Sequence, residues 1–284
     1  MKFALGYILR IIKTLFVAGG KSLLVTMLII GLGMGIIGID YSNPEPEKYM
    51  IVVWCLVTVT VLWIVFMLVF TVYEFANGYK VEKIHNEKGF CTEYFYAYEK
   101  AYIRSKVRNQ SNLIVFAEIY MRLGDCDSAL DILESISLNE LTSTQRAGHI
   151  FVHIMTAIKM KNIAAADKIW LENERFINEN INKPHMGGYT NLLYYAMVLT
   201  DCAAGRYERA LKTCDGLLKG GYSNAGDYLV LRTYLLKKLG QEDEINGAIA
   251  DFNKFFEDWK PVYQSMKKML CDDFEKALKG ELPI

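Results

Sequence analysis

Proline, paired cysteine and any excess of charge are what this sequence is short of, and each shortage excludes something. Of its five prolines only Pro184, Pro261 and Pro283 follow residue 79, so long helices can run there without interruption. Cys55, Cys91, Cys126, Cys202, Cys214 and Cys271 stand in no CxxC or other ligand spacing, which excludes a zinc ribbon or a thioredoxin-type motif. They read as scattered thiols of a reducing compartment. Lys and Arg number 32, and so do Asp and Glu. Beyond residue 78 the balance is 27 basic to 28 acidic residues, which leaves no basic footprint for nucleic acid. Sustained alternation of apolar and polar residues is also missing there, while apolar spacings of three and four dominate, so the fold class expected is all-α.

The first quarter of the chain has the opposite character. Residues 22–39 form a run of 18 without a charge, and residues 49–73 a run of 25. As helices these would measure about 27 Å and about 37 Å, against a hydrocarbon core of about 30 Å. The segment between them is too short to be a domain, so the sequence predicts a two-helix transmembrane hairpin within residues 22–78. Lys2, Arg10, Lys13 and Lys21 precede the first run, only Lys48 lies between the runs, and Lys80, Lys83 and Lys88 follow the second. By the positive-inside rule both termini and the C-terminal domain would be cytoplasmic. Residues 1–21 form an amphipathic segment suited either to the bilayer interface or to an extension of the first run. A cleaved signal peptide fits poorly, because no small-x-small site ends the apolar stretch.

Two motifs here are decoys or nearly so. Gly33, Gly35 and Gly38 spell GxGxxG, but no crossover helix follows as a dinucleotide turn requires. Gly31 and Gly35 spell GxxxG, a spacing that permits close helix packing or a homo-oligomer.

After a helical segment at residues 79–109, expected to lie next to the membrane, residues 110–284 repeat one theme. Gly124 to Leu130, Gly205 to Leu211 and Asp272 to Leu278 are its clearest copies, with weaker ones from Lys161 to Ala166 and Gly240 to Ile245. The intervals between successive copies are 37, 44, 35 and 32 residues, and Gly89 marks a possible earlier one. A Gly ends one helix in a tight turn; a small residue five positions on, Ala129 or Ala210, lets the next helix approach closely. Tyr120, Leu133 and Ile136 supply apolar contacts around the best copy. Periods near 34 point to helix-turn-helix arrays.

In this spacing the segment resembles the tetratricopeptide (TPR) repeat family over about residues 110–280. It departs from the family at Asp201, where an aromatic residue is usual, at Lys161 in place of a turn Gly, and at Ile245 in place of a small residue. The resemblance implies a helical solenoid whose concave groove, lined by the first helix of each pair, receives a protein or peptide segment. Mapped onto this chain, the groove would present Glu118, Met121 and Arg122; Phe151, Met155 and Lys159; Tyr195 and Leu199; and Tyr234, Lys237 and Lys238. Aromatic and Met contacts beside basic groups would suit an amphipathic segment carrying acidic groups.

Catalytic signatures are not evident. His149 and His153 have the i, i+4 spacing of a zinc-binding helix, but Ile150 stands where HExxH needs its Glu, and there is no third ligand. No phosphate loop, nucleophile motif or cofactor fingerprint appears. The function expected is therefore a membrane-anchored adaptor or scaffold that binds a protein partner without a cofactor. The alternative is a membrane-surface enzyme or regulator whose helical domain only resembles a repeat, and a buried acid or His cluster in a pocket would favour it.

Overall fold

The computed structural model describes residues 46–104, 109–220 and 225–283. The chain divides into two compact units, Met1–Tyr79 and Lys80–Ile284. Among the described residues the secondary structure is helical throughout, with no strand.

In the first unit the described residues belong to helix α1, Pro46–Lys88, which continues into the second unit. Trp54, Leu62, Phe66 and Val69 are exposed along it. A bilayer crossing takes about 20 predominantly apolar residues in one helix. Among the described residues no helix is long and apolar enough to cross a membrane. That finding corrects the integral-membrane localisation expected from the sequence, and with it the cytoplasmic placement of the two termini. The amphipathic segment 1–21, the run 22–39 and Gly31 and Gly35 lie outside the described residues, and the run 49–73 is described only in part.

The second unit is a succession of helical hairpins. The end of α1 turns at Gly89 into α2, Thr92–Tyr98, followed by a single π-helical turn, Glu99–Ile103. The hairpins that follow are α3 (Gln110–Arg122) with α4 (Cys126–Glu134) and α5 (Ser143–Lys159) with α6 (Ile163–Asn180). After them come α7 (Gly188–Ala203) with α8 (Tyr207–Lys219) and α9 (Ala225–Leu239) with α10 (Glu242–Asp258), and α11 (Gln264–Leu278) closes the series. Within each hairpin the two helices pack on each other; α3 also packs on α5, α5 on α7 and α9 on α11.

Local chemistry sets these boundaries. The starts of α4, α5 and α6 carry side-chain caps: the Asp125 carboxylate accepts from the Ser128 amide at 3.1 Å, Asn162 accepts from Ala165 at 3.1 Å, and Thr142 and Gln145 form a reciprocal capping box. Helix ends share one device. The Gly124 amide donates to the Met121 carbonyl and the Asp125 amide to Tyr120, and the same pair of bonds recurs around Lys161, Gly205, Gly240 and Gly280. The residue at the centre of each turn is left-handed, with φ of 92° at Gly124 and 73° at Gly205. Five positions beyond three of these turns, Ala129, Ala166 and Ala210 are fully buried, which fits the close helix approach read from the sequence.

One copy of the theme is corrected. Asp272 lies inside α11, not at a turn, and the left-handed residue is Gly280. The likeness there came from Ala277, which is buried as the other alanines are, without a chain reversal before it.

Lys161 is the exception among the turn residues, since it adopts φ of 58° while carrying a Cβ. A left-handed residue other than Gly costs about 1–2 kcal/mol, part of which glycine returns through its freer unfolded chain. Lys161→Gly is therefore expected to stabilise the protein by about 0.5–1 kcal/mol in urea denaturation, and a loss of stability would show that the lysine side chain holds the turn.

Candidate functional site

The first helices of the hairpins share an inner face, and a cavity of about 550 Å³ opens on it. Glu118 and Arg122 come from α3, Phe151 from α5, Leu192 and Tyr195 from α7, and Gly226 and Asp227 from the first turn of α9. The opposite wall is Phe255 of α10, the connection 259–263 and Met266, Met269, Leu270 and Asp273 of α11. A second hollow of about 430 Å³ shares Glu118, Phe151 and Leu192 and continues along the N-terminal ends of α3, α5 and α7.

The far wall is held by contacts between the two ends of the second unit. The Gln264 amide donates to the Asn86 side chain at 2.9 Å, and the Ser265 hydroxyl donates to the His85 carbonyl at 2.7 Å. The His85 ring is surrounded by Phe90, Tyr94 and Tyr263 at 4.7–4.9 Å between centroids. Burial lowers its pKa, and the Nδ1 atom has no hydrogen-bond partner. Gly226 lets α9 approach α10 and α11: a Cβ there would meet Phe255 Cε1 at 2.7 Å and Leu270 Cδ2 at 2.9 Å.

Charges on the cavity wall are unequally matched. Arg122 faces Glu118 at 3.6 Å and lies over the Phe90 ring, 5.5 Å from its centroid. Asp273 receives Lys276 Nζ at 3.0 Å. Asp227 has neither a hydrogen bond nor an ion pair among the described residues. Burial pushes its carboxyl up to about 6, with Arg122 opposing the rise and Asp273 adding to it. Beside the cavity, a hollow of about 450 Å³ gathers Lys88, Arg122, Lys159, Lys268 and Lys276 with Glu87, Asp272 and Asp273. Burial, and then the charge of Arg122, lower the pKa of Lys159.

Of the groove residues expected from the sequence, Glu118, Arg122, Phe151 and Tyr195 meet on the cavity wall and Lys159 stands in the adjoining hollow. The expected groove positions of Met121, Met155, Leu199 and Tyr234 are corrected, because all four are packed into the core. Lys237 and Lys238 line none of these hollows, Lys237 being bound to Glu242 at 2.7 Å and Lys238 lying over the Tyr234 ring. Asp227, Gly226, Trp259 and the α11 side chains were not foreseen; an acid in the first turn of a helix reads as ordinary dipole compensation, and the far wall depends on closure between distant segments.

His149 is a core residue whose Nε2 lies 3.1 Å from the Leu133 carbonyl oxygen, and burial lowers the pKa of both His149 and His153. Among the described residues no group of three or more His, Cys, Asp or Glu side chains is placed to hold a metal ion. No protein-family model matches the sequence, and no curated protein or solved structure matches the chain.

Proposed function

We propose that the chain is a binding adaptor of TPR type, whose inner face holds a short segment of a partner protein. The observation that carries this reading is the shared cavity: first helices of successive hairpins bring Phe151 and Tyr195 together with Glu118, Arg122 and Asp227. Aromatic side chains with a few charged groups in a concave site give affinity and orientation.

A photo-crosslinking residue at Val262, which is 67% exposed at the cavity, tests this against one at Leu171, which is 65% exposed on α6. Capture of the same partner from Val262 and not from Leu171, lost in Trp259→Ala with helix content unchanged, is the result expected. Equal capture at both sites, or capture unaffected by Trp259→Ala, would remove the cavity from the binding surface.

One observation favours a second reading, acid–base catalysis. A carboxyl poised near 6 in a cavity is a form that general acids and bases take. No hydrogen bond joins Asp227 to His85 or to a nucleophile among the described residues, so the triad-like relay of covalent catalysis is not assembled. Turnover of ester or phosphate probes by the full chain, abolished in Asp227→Asn, would establish catalysis over binding.

A further inference from the structure

We propose that Asp227 anchors an alkylammonium group of the ligand, with the rings of Phe151, Tyr195, Phe255 and Trp259 around its methylenes. The inference rests on the binding role proposed above and names the chemistry that the cavity selects.

The argument begins with the cost of Asp227 itself. Asp227 is half-buried on the cavity wall, and a partly desolvated carboxylate without a hydrogen bond gains when an opposite charge arrives with donors. Arg122 offsets this charge only in part, being set against Glu118 and Phe90. Asp273 is matched by Lys276, and Lys260, the other cation on the wall, is exposed. Once these pairs are formed, Asp227 is the wall carboxylate left without a hydrogen bond or ion pair among the described residues. Aromatic faces attract cations and repel anions through their quadrupole, and here they surround the same cavity. A carboxylate floor with aromatic walls therefore selects a cation with an apolar stem, which describes a lysine side chain and also a free primary amine. Anions have a weaker case: Arg122 Nε is buried without an acceptor, but its charge already faces Glu118.

Calorimetric titration of the full chain with four probes tests the idea: butylammonium, 1-butanol and butyrate, which are alike in size, and Nα-acetyl-lysine N-methylamide, which carries the same butylammonium group on a blocked amino acid. The two ammonium probes are expected to bind, and butanol and butyrate to bind at least about tenfold more weakly, the factor that corresponds to about 1.4 kcal/mol. Asp227→Asn should weaken the ammonium probes by at least about tenfold, and Trp259→Ala by about threefold. Ammonium affinity unchanged in Asp227→Asn, no ammonium binding to the unaltered chain, or tighter binding of butyrate would each overturn the proposal. Tighter binding of the lysine derivative assigns the group to a partner's side chain, whereas tighter binding of butylammonium assigns it to a free amine. If ammonium fails while capture from Val262 persists, this inference falls and the adaptor reading stands. If ammonium binds through Asp227 and nothing is captured, the adaptor reading falls instead.

Discussion

Asp227→Asn is expected to raise the unfolding free energy at pH 7 by about 1–3 kcal/mol and to leave it nearly unchanged at pH 4. Burial holds the carboxyl at about 6 in the folded chain, against about 3.9 in an unfolded one. Between those values the native state binds more protons than the unfolded state, so stability falls as pH rises through the window. Below about pH 4 both states are protonated and the site costs nothing; above about pH 6 the full cost of the half-buried carboxylate is present. Asparagine fills nearly the same volume and cannot ionise. Urea denaturation of both proteins at pH 4 and pH 7 measures the difference. A gain equal at both pH values, or no gain at pH 7, would show that the carboxylate is hydrated in the cavity. The same carboxylate is the one proposed to anchor the ligand, so this measurement and the calorimetric titration bear on one residue.

The turns were legible in the sequence because they rest on a local signal. Gly124, Gly205 and Gly240 each sit where the chain must turn left-handed, and the alanine five residues after the first two needs only helix periodicity to explain it. Lys161 was found in spite of its side chain, because Ala166 kept the spacing. Asp272 misled because Ala277 and Leu278 repeat the packing half of the theme without the turn half. The core positions of Met121, Met155, Leu199 and Tyr234 show the limit of assigning faces by spacing. One residue turns a helix by about 100°, so a small error in register exchanges the inner face for the core. The cavity's far wall was not legible at all, since α11 meets the end of α1 across some 180 residues of chain. Membrane spans were inferred from charge-free length, and the described residues do not support that inference.

Asp201, the acid that stands where the TPR resemblance calls for an aromatic residue, is expected to be the costliest position to truncate on the outer side of the array. Its carboxylate is buried near the end of α7, yet it accepts from Arg206 Nε at 2.8 Å and from two nitrogens of Arg209, Nε at 2.7 Å among them. Arg206 then reaches back to Asp167 on α6 with two parallel bonds of 3.0 and 2.7 Å, a fork that lowers the Asp167 pKa chiefly through those hydrogen bonds. Helix α6, the end of α7 and the start of α8 are thus joined by one network of charges, doing with hydrogen bonds what an aromatic side chain would do by packing. Asp201→Ala removes the acceptor on which both arginines converge, and the cost is expected to be about 2–3 kcal/mol, below the 3–5 kcal/mol of a fully buried pair because the arginines left behind are partly exposed. Asp201→Tyr is expected to recover little, since Arg206 and Arg209 would stay without their acceptor. Arg206→Ala should cost about as much as Asp201→Ala, and the double substitution less than the sum, because the two share bonds. Urea denaturation of the unaltered chain, the two alanine variants and their double substitution closes this cycle, and Asp201→Tyr is measured beside them. Strict additivity, or a stabilising Asp201→Tyr, would mean that the acid is only a tolerated departure and that packing holds this hairpin.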